Sequence, residues 1–280
     1  MNVLITGGSS PLGARVLAEL LKDEQLNIWA SVHNASIPLE HPRLQCIKFD
    51  IENPDLTQLP TPLDRVIHFA AVTHAADPRS YWQVNDAGTT LLASAAHKLG
   101  CKNFVYVSTR CATSSSGAYG ESKLSAENKL RAIGFANLLI LRPAEIYGGG
   151  GNEGIDQLLT LAAKWHVVPL MFGDRRLRFS PLFIDDFVTQ TVALIHQQVP
   201  GEQISELCGP ENLSGASVAM RIARRYYALP FPLWWPGLVL GLKMLERFGV
   251  SPIKSDQLAR AVGEKTCYVS RTNGLKRFLS

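Results

Sequence analysis

The chain has 280 residues, of which 46% are hydrophobic and 19% charged, and its formal net charge is +4. That balance excludes a disordered chain, which is poorer in apolar residues and richer in charge. The small charge argues against the dense basic face of a nucleic-acid binder and suits a soluble enzyme with an anionic ligand.

The elements alternate from the start. Asn2–Thr6 is a short apolar run ending in glycines, and Leu12–Leu21 follows with helical spacing. Leu26–Val32, Leu44–Phe49 and Arg65–Phe69 read as strands. A helix pattern covers Tyr81–Leu99, then a strand Phe104–Val107, a helix Tyr119–Ile133 and a strand Ala136–Leu141. Strands that read as continuous apolar runs have both faces covered, as in a parallel sheet between helices. The beat predicts an α/β fold: a Rossmann-type doubly wound parallel sheet.

After Tyr147 the beat changes. A glycine loop, 148–151, precedes a helix at Ile155–Trp165, and Ser214 is placed to cap a helix running to Tyr227. Residues 1–150 are expected to form the dinucleotide-binding domain. Residues 151–280 are expected to form a smaller, mainly helical substrate lobe, returning once to the sheet near 185–196.

The opening Met1–Gly7 has no basic region before its apolar run and so does not read as a secretion signal. The five cysteines are scattered, without CxxC spacing, so free thiols, a reducing compartment and no metal site are expected. A cytoplasmic location follows. The apolar stretch around Leu229–Leu242 contains prolines and ends at Lys243, too short for a spanning helix. Trp234, Trp235 and the helix pattern to Phe248 read as the apolar lid of the lobe in preference to a membrane contact through 233–248, because basic residues on its polar face are sparse.

Thr6-Gly7-Gly8-Ser9-Ser10-Pro11-Leu12-Gly13 lies between a strand and a helix, the context in which a glycine motif cradles a pyrophosphate. Gly7 permits the turn and Gly13 close helix–strand packing; Ser10 stands where a central glycine is usual. An ordinary βα turn fits the same residues. The second strand ends in Val32-His33-Asn34 with no acid to bind a ribose 2′-hydroxyl, which favours NADP over NAD. A plain surface histidine is the competing reading of His33.

Tyr119 and Lys123 sit one helical turn apart. A free tyrosine titrates near ~10. A neighbouring cation favours the phenolate, which can exchange a proton with a substrate hydroxyl or carbonyl.

In this order the chain resembles the extended short-chain dehydrogenase/reductase superfamily, the NAD-dependent epimerase/dehydratase family. The resemblance rests on Thr6–Gly13, Asp50-Ile51, His68-Phe69-Ala70-Ala71, Asn85, Gly88-Thr89, Ser108-Thr109, Tyr119 with Lys123, Leu141-Arg142-Pro143, Ile146-Tyr147-Gly148 and Arg178–Asp186. It implies a catalytic Tyr119 with Lys123 and Thr109, and Ser108 as a substitute for the threonine. It implies a cofactor lined by Gly7, Ser9, Ser10, Pro11, Leu12, Gly13, His33, Asp50, Ile51, Phe69, Ala70, Ala71, Asn85, Ser108, Lys123 and Pro143.

Thr109 is followed by Arg110-Cys111, where the dehydratase branch has an Asp-Glu pair, so a plain redox step is expected. Arginines at 175, 176 and 178 suit a diphosphate, with Arg178 the best placed, and Glu145 faces the expected pocket. Nucleotide-sugar 4-epimerases and 4-ketoreductases are the most similar group, and the resemblance implies a homodimer. A second similar group is the dehydrogenase-like accessory subunit of respiratory complex I, which binds NADPH without established turnover. The run Ser251–Leu258 also resembles that group. A reductase of a small apolar carbonyl is a third reading.

Overall fold

The computed structural model describes residues 1–33, 35–75, 77–150, 154–174, 177–197, 200–247, 267 and 274–279. β1 (Asn2–Thr6), β2 (Asn27–Val32), β3 (Leu44–Lys48), β4 (Arg65–His68), β5 (Asn103–Val107), β6 (Asn137–Pro143) and β11 (Gly201–Leu207) form a seven-stranded sheet. Its order is β11-β6-β5-β4-β1-β2-β3, and every neighbouring pair is parallel. The alternation of side chains explains the two layers. Val3 and Ile5 face one core with α1 (Pro11–Leu20) and α5 (Ile184–Gln197), while Leu4 faces the other with α2 (Thr89–Lys98) and α3 (Gly117–Ile133). Val16, Leu17 and Leu20 of α1 are fully buried, each contributing about 1.5–3 kcal/mol.

The strand order reverses between β1 and β4. Dinucleotides bind at such a switch point, outside the carboxyl ends of the strands. A π-helical segment, Tyr81–Gly88, runs directly into α2 where the sequence predicts one continuous helix.

The return to the sheet is longer than 185–196. α5 packs on the α1 side through Phe187, Val188 and Ile195, and β11 then adds the edge strand beside β6. β11 escaped the sequence reading because an edge strand carries polar residues, here Glu202, Gln203, Ser205 and Glu206.

The lobe contains α4 (Gly154–Trp165), α6 (Gly215–Tyr226) and α7 (Trp235–Arg247). It also holds strand pairs: β7 (Ile146–Tyr147) with β10 (Leu182–Phe183), β9 (Arg178–Phe179) with β12 (Leu213–Ser214), and β8 (Val167–Phe172) with β13 (Leu229–Trp234). Those short strands stand beside the longer helices of the lobe. Ser214 caps α6, its Oγ accepting from Ser217 N at 3.1 Å. Among the described residues no helix is long and apolar enough to cross a membrane. Cys208 and Cys267 form a disulfide, with Cα atoms 6.3 Å apart, which corrects the free-thiol expectation for these two.

Candidate active site

The turn after β1 is built by two glycines. Gly7 has φ +71°, and a Cβ there would lie 2.5 Å from Ala70 N. A Cβ on Gly13 would lie 2.2 Å from Gly7 O. Ser10 needs no glycine because its backbone is extended, and its hydroxyl caps α1: Oγ accepts from Gly13 N at 3.1 Å and donates to Gly7 O at 2.8 Å. Pro11 occupies the first helical position, where no N–H is required. The arrangement presents the amino end of α1 at the switch point, as a pyrophosphate requires.

Beneath that turn, His68 at the end of β4 joins β1 to α2. Its Nδ1 lies 2.5 Å from Thr6 Oγ1 and its Nε2 lies 2.9 Å from Thr89 Oγ1. Burial, helped by the nearby Lys123 charge, pushes His68 down to about 3, so the ring is neutral. Asn85 clamps the loop after β4: Oδ1 accepts from Val72 N at 2.8 Å and Nδ2 donates to Val72 O at 2.9 Å. This fixes the course of half-buried Phe69, Ala70 and Ala71, and makes Asn85 a support for the loop.

α3 enters close to the end of β5. A Cβ at Gly120 would lie 2.1 Å from Cys111 O, so only glycine lets this turn approach the loop that follows β5. Tyr119, next to it, lies edge-on to Tyr81 with ring centroids 5.8 Å apart. Lys123 is turned inward. Its Nζ donates to Val107 O at 2.7 Å and sits 4.2 Å from the centroid of the Tyr106 ring. Burial lowers Lys123 to about 7, with Glu127 opposing the shift.

Ser108 is already committed. It is buried, and its Oγ donates to Glu127 Oε1 at 2.5 Å. Arg142 Nε donates to the same oxygen at 2.9 Å. Ser108 thus ties the end of β5 to α3. Thr109, half-buried beside it, accepts from Cys111 N at 3.1 Å. Glu127 and Arg142 were missed as a buried pair; the available signal was an acid one turn beyond Lys123 on the same helix face.

The lobe contacts this end of the sheet through β7 and β10. Leu182 N donates to Glu145 O at 2.9 Å. Half-buried Glu145 points at Gly154, and Pro143 is buried at the end of β6. Exposed Arg178 is held by Asn212, its Nε donating to Oδ1 at 2.9 Å. Arg221 pairs with Glu211 at 2.7 Å. His33 is exposed at the end of β2, exposed Asp50 accepts from Glu52 N at 3.0 Å, and Ile51 packs partly into the core. Asn34, Gly151, Arg175, Arg176, Phe248 and residues 251–258 lie outside the described residues.

The model of the NAD dependent epimerase/dehydratase family matches residues 3–205. The chain belongs to this family. Epimerases and dehydratases of this family are enzymes of the extended short-chain dehydrogenase/reductase type. Among its relatives, the UDP-glucose 4-epimerase of Vibrio cholerae is 27% identical over 237 residues, covering 74% of this chain and 69% of that one. A ceramide reductase of Caulobacter vibrioides is 28% identical over 244 residues, covering 82% and 74%. The UDP-glucuronic acid 4-epimerase of Bacillus cereus, solved with NAD, shares the fold: TM-score 0.72 at 21% identity, covering 94% of this chain and 96% of that one.

In this family member, the topology brings the glycine turn, Asn85, Thr109 and Tyr119 to the carboxyl edge of the sheet. Lys123 and Ser108 lie one layer deeper, inside the protein.

Proposed function

We propose that the enzyme moves hydride at C4 of a nucleotide sugar, as a 4-epimerase or 4-ketoreductase, with NADP or NAD and with NADP preferred. The observation that carries this reading is Tyr119 at the mouth of the site on the helix that Lys123 ties to the end of β5. The turn from Gly7 to Gly13, with Ser9 and Leu12 at the amino end of α1, fits a pyrophosphate. His33 lies where a 2′-phosphate would be met, and Asp50 and Ile51 where adenine would lie.

A nicotinamide dinucleotide, when bound, accepts and returns hydride. The Tyr119 phenolate takes the proton of the substrate O4 hydroxyl as C4 loses its hydrogen and becomes a carbonyl. In reverse the tyrosine returns that proton. An epimerase returns hydride to the opposite face of the keto-sugar, whereas a ketoreductase completes one direction and releases the product. Thr109 orients O4. The Lys123 charge, buried behind the tyrosine, favours the phenolate through space. Glu145 meets a sugar hydroxyl and Arg178 the diphosphate.

The ceramide reductase relative favours a second reading, reduction of an apolar carbonyl. Purified protein, assayed for retained cofactor and then with UDP-hexoses, their 4-keto forms and apolar ketones, separates the two. Tyr119→Phe is expected to keep cofactor binding and lose turnover. Equal NADPH binding with no turnover of any substrate by the wild type would leave only a binding subunit.

A further inference from the structure

The lobe carries an apolar strip that its own fold leaves open. Paired residues of β8 and β13 share a face, so Leu229 and Phe231 project together from one side while Val168 and Leu170 turn into the core on the other. Leu229 is 70% exposed and Phe231 42%. Trp234, at the end of β13, falls on the opposite face beside its partner Phe172, and its indole lies against Gly173 and Gly237. α7 follows at that end. Trp235 and Leu242 pack inward on Leu177, while Leu240 and Met244, one turn apart, face outward. At the other end stand Trp165, 71% exposed, and Tyr227, 92% exposed. Leu229 N donates to His166 O at 2.7 Å, which brings those two aromatics beside the start of β13.

Basic side chains stand beside Trp165 and Tyr227. Arg224 and Arg225 are exposed in the last turn of α6, and Lys164 is exposed beside Trp165. Among the described residues none of these three has an ion pair. Exposed tryptophan, tyrosine and leucine bordered by unpaired arginine and lysine are the chemistry of a protein lying in a bilayer interface, where rings sit at headgroup level and cations meet lipid phosphate.

We infer that the patch of Trp165, Tyr227, Leu229 and Phe231 docks this enzyme on an anionic bilayer surface without spanning it. The inference is independent of the substrate.

The test is sedimentation of the full chain with phosphatidylcholine vesicles, with and without phosphatidylglycerol. The chain is expected to partition about tenfold more strongly onto the anionic vesicles, and salt is expected to reduce that excess. L229S/F231S is expected to lower binding about tenfold with an unchanged unfolding temperature. R224S/R225S, which leaves the core untouched, is expected to remove most of the salt-dependent part. Failure to sediment with either vesicle, or equal sedimentation of wild type and both variants, would overturn the inference. So would light scattering that shows a dimer dissolved by L229S/F231S, because the patch would then be covered by a second copy.

Discussion

Lys123 donates to the Val107 carbonyl at 2.7 Å from a fully buried position, so the helix bearing Tyr119 is pinned to the last residue of β5. Burial lowers the ammonium from 10.5 to about 7. Between those values the unfolded chain holds a proton that the folded chain has released. Stability therefore rises with pH across that window, by this group alone. K123M removes the titration, and urea unfolding on both sides of the window is expected to show a flatter pH dependence than wild type. The same variant is expected to lose about 100-fold in turnover, since the phenolate loses its cation. An unchanged pH slope in K123M would show that the lysine is not buried as described.

Glu127 joins two elements through charge. It is fully buried between Ser108 and Arg142, with Arg131 Nη2 at 3.5 Å. Removing it leaves Arg142 half-desolvated without its partner, and E127L is expected to cost about 3 kcal/mol. The double variant E127L/R142M leaves no uncompensated charge and is expected to cost less than E127L alone. Urea midpoints of the two variants decide this, and a double variant less stable than the single would refute it.

Much of the sheet was legible because its strands are covered on both faces and read as apolar runs: Asn2–Thr6 was expected with the bounds it has. Strands of two residues such as Ile146–Tyr147 carry no periodicity at all. Pro230 and Pro232 lie in β13, whose only partner among the described residues is β8; a strand with a free edge tolerates missing donors. At the site, the glycine turn and the spacing of Tyr119 and Lys123 were visible in the sequence. The direction of the lysine was not, because helix spacing fixes a face and not the depth to which a flexible side chain reaches. Ser108 and Thr109 are adjacent hydroxyls with opposite fates, set by Glu127 from a distant part of the chain.

His68 governs the acid side of stability. Its pKa of about 3 lies below the ordinary 6.5, so as pH falls from 6.5 the unfolded chain takes up a proton that the folded chain refuses. Stability is thus lost progressively down to about 3. H68F keeps an aromatic body between Thr6 and Thr89 but cannot titrate. It is expected to be less stable at neutral pH, where two hydroxyl contacts are lost, and to decline less steeply in acid. Parallel acid limbs for H68F and wild type, followed by circular dichroism, would count against this role.

The turn after β1 separates stability from cofactor binding. S10A removes the cap of α1 and is expected to cost about 1 kcal/mol, whereas S10G costs only a few tenths. G13A is a different lesion, because its Cβ would meet the backbone oxygen of Gly7 and the turn itself must move. NAD(P)H binding, read from nicotinamide fluorescence, is expected to weaken at least about tenfold in G13A and to change little in S10G. Tight binding by G13A would place the pyrophosphate elsewhere.

His33 offers a test of cofactor choice. It is exposed at the carboxyl end of β2, the strand beside β1, and so flanks the glycine turn without being part of the core. An aspartate there would accept a hydrogen bond from a ribose 2′-hydroxyl and repel a 2′-phosphate, while leaving the packing of the sheet unaltered. H33D is therefore expected to weaken NADPH binding about tenfold or more and to leave NADH binding equal or tighter. H33A is expected to weaken NADPH only, and by less, because it removes an attraction without adding a repulsion. Fluorescence titration of both dinucleotides against the three proteins gives the ratio directly. If that ratio stays constant through H33D, discrimination is made by another residue and the preference for NADP loses its support.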